Sequence, residues 1–256
     1  MNDRDLLYRV DGWTSWITIN REAKRNSISS EVVELFFDYL DRAEQDSDVR
    51  AVCITGAGDK AFCSGADLGN MPTGSENNPA RKYAGLIKRV ARFPKPTVAR
   101  INGHCLAGGT GFMLACDIVI AKEEALFGTP EVNVGLWPMM IGALIFRNAM
   151  KKKAMEMVLL GERISAREAE QMGMVTRVVP GERLDEEIAR ILAVLSEKSP
   201  SGMRLGKEAF YTMDGMDFSD GLDFLCEKLI EVSQTEDAKE GLTAFLEKRK
   251  PQFKGK

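Results

Sequence analysis

Two glycine-bearing segments, FCSGAD at 62–67 and NGHCLAGGTGFMLACD at 102–117, are followed by FGTPEVNVG at 127–135, whose single carboxylate is Glu131. Each glycine segment comes soon after a β-branched run that reads as a strand, Ala51 to Thr55 and Thr97 to Ile101. Each can therefore aim a backbone N–H at one shared point. Two such donors form an oxyanion hole, suited to reactions that place negative charge on a carbonyl oxygen. Glu131 stands among Phe127, Val132, Val134, Leu136 and Trp137, so partial burial is expected to raise its pKa toward that of a useful general base. The same Pro-Glu pair also fits a solvated turn or a helix cap, and the same glycines fit tight turns that need positive φ.

Other chemistries find less support. GAGDKA at 56–61 matches a GxGxxA dinucleotide fingerprint, but FCSG follows at once and no acidic residue follows a second strand about 20 residues on. The only histidine is His104 and Ser64 lies outside any GxSxG elbow, which disfavours a Ser/His/Asp hydrolase. His104 reads as a hydrogen-bonded structural residue in a turn facing the core. One histidine without clustered carboxylates does not suggest catalytic zinc, and no GxxxxGK[ST] phosphate loop is present.

The elements that must hold these motifs read as an alternation. Leu6 to Val10 and Trp13 to Ile19 flank Asp11-Gly12 as a hairpin. A helix is predicted from Ser29, with Val32, Leu35, Phe36, Tyr39, Leu40 and Ala43 at helical spacing, ending at Gln45 to Asp48. The Ala51 to Thr55 strand comes next. Asn70 to Pro79 reads as a mobile loop, of a kind that often serves as a lid, and Arg81 to Arg92 as a helix. Strands at Thr97 to Ile101, Asp117 to Ala121 and Ala125 to Phe127, with a helix starting near Gly108, complete an α/β pattern.

After Pro138 helices dominate: Met139 to Met150, Lys151 to Leu160, Ala166 to Met172, Glu182 to Lys198, Met203 to Met213 and Phe218 to Lys250, with one strand at Val175 to Val179. Their Met, Leu and Phe stripes need covering, by the first part of the chain or by another copy. The division expected is a core at 1–195 and a helical region at 196–256.

A chain of 256 residues with 44% apolar content can bury a large core without a disulfide or metal staple. Its 35 basic and 38 acidic side chains are interspersed, leaving a net charge of -3, so nucleic acid is not an expected partner. Cys53, Cys63, Cys105, Cys116 and Cys226 form no CxxC pair and read as reduced, mostly buried thiols. MNDRDLLYRV carries no apolar signal region, and Val132 to Phe146, a long uncharged stretch, is too short to span a bilayer. A cytoplasmic protein is the expectation.

Several segments in order resemble the crotonase, or enoyl-CoA hydratase/isomerase, superfamily: NREAKRNSIS at 20–29, ITGAGDKAFCSGAD at 54–67, PKPTVARINGHCLAGGTGFMLACDIVIA at 94–121, FGTPEVNVGLWP at 127–138 and FLEKRKPQF at 245–253. The resemblance implies a spiral of ββα repeats with a C-terminal helical region used for trimerisation, as a homotrimer or dimer of trimers. It implies an acyl-CoA thioester substrate, with coenzyme A carried as part of the substrate and no separate cofactor or metal. The hole donors map to Ala66 and Gly108, where the helix dipole adds to the second donor, and Gly109 leaves room for close approach of the ligand.

Family hydratases carry two glutamates, and the first falls here on Gly111, so Glu131 alone survives. Water addition wants a second acid/base group, whereas moving a double bond from the 3,4 to the 2,3 position needs one base. An isomerase is the first reading. A hydratase or related lyase with a recruited group, and a non-catalytic acyl-CoA binder, are the alternatives. The resemblance further implies that Ala23, Lys24 and Arg25, with the Ala66-Asp67-Leu68 turn, meet coenzyme A. Lys24 and Arg25 would face its phosphates or stand as ordinary surface charge, and Asp67 would orient or cap the following helix. Trp137, Met139 and Met140 would line the acyl pocket or pack the core, and Phe253 and Lys254 would reach toward the coenzyme A site of the same or a neighbouring subunit.

Overall fold

Gly12 takes φ +56, which glycine adopts at little cost. It thereby closes the antiparallel hairpin of β1 (Leu6–Asp11) and β2 (Thr14–Ile19). A computed structural model describes residues 4–66 and 78–256; the expected lid at Asn70 to Pro79 falls largely outside them, as do Asp67 and Leu68. Ser29 then caps α1 (Ser30–Gln45) by accepting from the Val32 N–H, and the helix buries Val32, Val33, Phe36, Leu40 and Ala43.

From there the chain repeats one unit. β3 (Ala51–Gly56) and β4 (Ala61–Cys63) precede α2 (Pro79–Ala91); β5 (Thr97–Ile101) and β6 (His104–Leu106) precede α3 (Gly108–Leu114); β7 (Ile118–Lys122) and β8 (Leu126–Gly128) lead on to α4 (Met139–Asn148). The first strand of each unit joins a large sheet ordered β1-β2-β3-β5-β7-β10, and the second joins a small sheet ordered β4-β6-β8-β9. Successive units stack in parallel register, Val52 on Thr97 and Val98 on Ile118 in one sheet, Ala61 on His104 and Cys105 on Phe127 in the other. This is the expected ββα spiral. Its core includes Phe36, Phe62, Phe112 and Phe127, all fully buried, with Phe36 and Phe112 edge to face at 5.0 Å.

The remaining elements are α5 (Lys151–Leu160), β9 (Arg163–Ser165), α6 (Ala166–Gln171), β10 (Arg177–Val179), α7 (Leu184–Ser196), α8 (Pro200–Met213), α9 (Phe218–Ser233) and α10 (Glu236–Leu246). Helix α7 covers the outer face of the large sheet through Leu184, Ile188, Ile191 and Leu192. Two expectations need correction. The stretch from Phe218 to Lys250 is two helices, because the Thr235 hydroxyl accepts from the Ala238 N–H and starts a new one. The three-residue strands β4, β6 and β9 were not anticipated, since so short a run carries no usable alternation.

Two buried asparagines fix the turn that the site depends on. Asn26, at φ +55, accepts from the Arg21 N–H and donates to the carbonyls of Ala57 and Ala61, the latter at 2.7 Å. Asn102 accepts from the Gly56 N–H and donates to the Gly58 carbonyl at 2.8 Å. They hold residues 56–61 as a strand-to-strand connection, so the GAGDKA segment opens no helix and lacks the geometry of a dinucleotide fingerprint. Replacing Asn26 with Ala removes the donor to the part-buried Ala57 carbonyl and leaves the Ala61 carbonyl only the longer 3.5 Å bond from Asn102, and is expected to cost about 2–4 kcal/mol in urea unfolding, with an unchanged m-value.

Candidate active site

The segment after β4 and the segment after β6 abut. Gly65 has φ +98, and a Cβ there would stand 2.8 Å from the Ala107 Cβ and 2.9 Å from the Gly108 nitrogen. At Gly109 a Cβ would fall 2.3 Å from the Cys63 carbonyl oxygen. Only glycine allows the start of α3 to pack this closely on the end of β4. A Cβ on Gly108 would lie 3.4 Å from the Ala66 nitrogen, so the missing side chain leaves open the space beside the Ala66 amide.

Among the described residues neither the Ala66 nor the Gly108 N–H has a backbone or side-chain acceptor. The first amide of a helix is unsatisfied by construction, and the residue before Gly108, Ala107, offers no capping side chain. Ala107 sits at φ 51 and ψ -131, a sparsely populated backbone state that persists because its surroundings impose it. Its N–H donates to the Gly128 carbonyl at 2.9 Å, and the Thr110 hydroxyl donates to the same carbonyl at 3.1 Å and to that of Cys105 at 3.0 Å.

Those bonds also tie β8 to the same corner. A one-and-a-half-turn 3-10 helix, Pro130–Val134, follows β8 and carries Glu131. The carboxylate is half-buried, and its Oε2 is buried and, among the described residues, has no hydrogen-bond partner. Burial raises its pKa above the usual glutamate range, and its own backbone N–H opposes that only in part. Among the described residues no cation contributes to the shift. The charge reaches Tyr83, whose hydroxyl donates to the Gly108 carbonyl at 2.7 Å; Tyr83 is held well above the usual phenol range by burial first, then by Cys63, Cys105 and Glu131.

Gly111 lies one turn into α3, and its missing side chain leaves no vacancy. A Cβ there would stand 2.1 Å from the Ile141 Cγ2 and 2.4 Å from its Cβ. Ile141, 3% exposed in the first turn of α4, fills the space into which an acid at residue 111 would extend. Met140 lines a pocket together with Ala66, Tyr83, Ile28, Ser29 and Glu31. Trp137 and Met139 are exposed by 43% and 75% and do not line that pocket.

On the other side of Ser64 runs a charged cleft. Ser64 donates its N–H to the Arg25 carbonyl at 3.1 Å, which sets the exposed Ala23-Lys24-Arg25 turn beside the segment that carries the Ala66 amide. Arg25, Lys60, Lys122 and Arg163 line this cleft with Ser64 and His104, and Glu22, Asp59 and Glu124 line it too. His104 accepts from the Leu126 N–H at 3.2 Å, a structural role, and burial followed by Arg163, Lys122 and Arg25 lowers its pKa.

Phe253 and Lys254 are held elsewhere in the chain. The Phe253 ring packs on α10 at Gly241, its carbonyl accepts from Arg50, and the Lys254 N–H donates to Asp237 at 2.7 Å. Arg50 precedes β3, whereas β4 and the Ala66 amide follow its far end at Gly56. Phe253 and Lys254 therefore do not reach the site of their own chain. Residues that sequence reasoning missed are Tyr83, hidden in the apolar stripe of α2, Ile141, hidden in an apolar run, and the cleft cations Lys60, Lys122 and Arg163, which are scattered along the chain.

The sequence matches the family model for enoyl-CoA hydratase/isomerase over residues 14–256. It is 33% identical over 244 residues to 2,3-dehydroadipyl-CoA hydratase of Escherichia coli (strain K12), covering 94% of each chain. The structure resembles that of an enoyl-CoA hydratase from Bacillus anthracis, with TM-score 0.93, 34% identity and coverage of 99% and 100% of the two chains. It also resembles human enoyl Coenzyme A hydratase domain-containing protein 3, with TM-score 0.93, 29% identity and coverage of 98% and 100%. Matched along nearly its whole length in both sequence and fold, the chain belongs to the enoyl-CoA hydratase/isomerase family of the crotonase superfamily.

Proposed function

We propose that this enzyme is a 3-enoyl-CoA to 2-enoyl-CoA isomerase that uses Glu131 as its one acid/base group. The observation that carries this reading is the Gly111–Ile141 contact: apolar side-chain atoms occupy the place beside the hole from which a second carboxylate would act on water.

In the reaction the thioester oxygen accepts from the Ala66 and Gly108 N–H groups. The Glu131 carboxylate removes a proton from C2. The C–H electron pair becomes the C1–C2 double bond, and the carbonyl π pair moves onto oxygen. Each preorganised donor stabilises that enolate by about 3 kcal/mol. The oxygen pair then returns to re-form the carbonyl, the C1–C2 pair becomes the C2–C3 double bond, and the former C3–C4 pair takes the proton from Glu131 at C4. No water enters and no redox equivalent is consumed. Coenzyme A, bound as part of the substrate, directs its phosphates to Arg25, Lys60, Lys122 and Arg163, with the Ala23–Arg25 backbone along its length. Self-association would cover the exposed side chains of Phe218, Leu229 and Phe245 and is the route by which Phe253 and Lys254 could serve a neighbour's site.

Hydration is the second reading, favoured by the names of the relatives and by Glu31, an exposed carboxylate that lines the pocket shared with Ala66. Under that reading Glu31→Gln abolishes water addition to crotonyl-CoA; under ours it leaves 3-enoyl-CoA isomerisation within about twofold of wild type, because it holds no acid/base role.

Glu131→Gln is expected to lower isomerisation about a thousandfold while acyl-CoA binding persists; wild-type turnover in this variant would rule Glu131 out as the base. In the wild type kcat/KM should fall as pH drops through the Glu131 pKa, with the inflection above the value of about 4.3 for a free glutamate. Because folding raises that pKa, Glu131 contributes stability that is present below the unfolded pKa and lost as pH rises through the folded one. Glu131→Gln should therefore raise Tm at neutral pH, with the gain vanishing toward pH 4 and below, as differential scanning calorimetry would show.

The Gly111–Ile141 pair supplies a gain-of-function test. Gly111→Glu alone should lower Tm by several degrees, because its Cβ overlaps Ile141. Combined with Ile141→Gly it should hydrate crotonyl-CoA about a hundredfold faster than wild type. A double variant that folds and hydrates no faster would show that the filled space is not what bars water.

A further inference from the structure

Tyr83 belongs to no motif and to none of the roles assigned above, yet its hydroxyl sits where the two hole segments meet. The residue is 5% exposed, and its Oη lies 2.7 Å from the Gly108 carbonyl oxygen and 3.3 Å from the position a Gly108 Cβ would take, the same position that stands 3.4 Å from the Ala66 nitrogen. It comes from α2, an element otherwise packed on α1 and the core through Leu86, Ile87 and Val90. Helix α3 does not require this bond. The Gly108 carbonyl opens the helix, where the amide four residues on is its acceptor's usual partner, and the second lone pair is free for the phenol.

We infer that Tyr83 is a positioning residue for the oxyanion hole: its hydroxyl clamps the Gly108–Gly109 peptide, joined through the Gly108 Cα to the peptide that carries the Gly108 N–H, and so limits how far that N–H can turn from the thioester oxygen. The inference rests on the acyl-thioester reading of this site and adds to it a residue that exchanges no proton with substrate. Two features make the clamp necessary. The backbone immediately before Gly108 is strained at Ala107, φ 51 and ψ -131, and a strained peptide relaxes when its constraints are removed. Glycines at 108 and 109 give this turn the least intrinsic stiffness of any residue pair. A phenol kept protonated by burial donates over the whole working range of pH.

The test is Tyr83→Phe, which retains the ring in its packed position and removes one oxygen. The probe is butyryl-CoA, a saturated thioester that binds without isomerising. Isotope-edited infrared difference spectroscopy reports how strongly the hole polarises its carbonyl. In wild type the carbonyl frequency should fall on binding; in Tyr83→Phe about half of that shift should be lost, since one of two donors is misaligned. The dissociation constant for butyryl-CoA should stay within about twofold, and kcat for isomerisation should drop about tenfold with KM little changed, as for an interaction made mainly in the transition state. A fluorinated tyrosine at position 83, which keeps the hydroxyl, should restore both the frequency and kcat. A Tyr83→Phe protein that melts normally and shifts the carbonyl as far as wild type overturns the clamp while leaving the thioester reading intact. Loss of butyryl-CoA binding in Tyr83→Phe with the frequency unchanged in the bound fraction would also overturn it. Wild type that binds butyryl-CoA with no carbonyl shift overturns the thioester reading and the clamp together.

Discussion

A folded chain rarely leaves two neighbouring backbone amides without acceptors, because each unmet donor in a partly buried place costs free energy. Among the described residues the Ala66 and Gly108 N–H groups share that condition, and much of the surrounding structure serves to maintain it. Asn26 and Asn102 hold the turn that delivers β4, the bonds of Ala107 and Thr110 to Gly128 hold the start of α3, and glycines at 65, 108 and 109 let the two segments touch. An anionic oxygen placed between the amides would supply the acceptor that the protein withholds.

The spiral makes this meeting possible. Each ββα unit sends its second strand into the small sheet, so the ends of β4, β6 and β8 lie side by side although 40 residues lie between β4 and β6 and 19 between β6 and β8. The two amides come from the segments after the first two ends and Glu131 from the turn after the third. Among the described residues no cation shifts this carboxylate, and burial keeps its proton affinity high. That combination suits a group that must both take and return a proton. Ile141, entering from α4, removes the option of a second acid at residue 111.

Sequence reading reached the hairpin, α1, the strands of the large sheet, the start of α3 and the family, because long periodic segments and glycine turns signal through local physics. The small sheet was not legible, since strands such as Ala61–Cys63 and His104–Leu106 are three residues long and are defined by their neighbours. Gly111 was read, by resemblance alone, as standing at the first glutamate position, but its steric surroundings were not legible: the atom that meets a Cβ there belongs to a residue thirty positions later, inside the apolar run Met139–Ile145. Tyr83 was invisible for a related reason. Its hydroxyl bond reaches out of a stripe that reads as core, and no spacing rule distinguishes a tyrosine that packs from one that also donates. Phe253 and Lys254 were assigned to the site by resemblance, whereas contacts with Arg50, Gly241 and Asp237 fix them far from it within their own chain.

The most direct measurement is a crystal structure of the enzyme with a bound acyl-CoA. The thioester oxygen should lie about 3 Å from both the Ala66 and Gly108 nitrogens, with a Glu131 oxygen facing C2 and C4 from one side. A thioester oxygen that accepts from neither amide, or a Glu131 side chain turned away from the acyl carbons, would contradict the account.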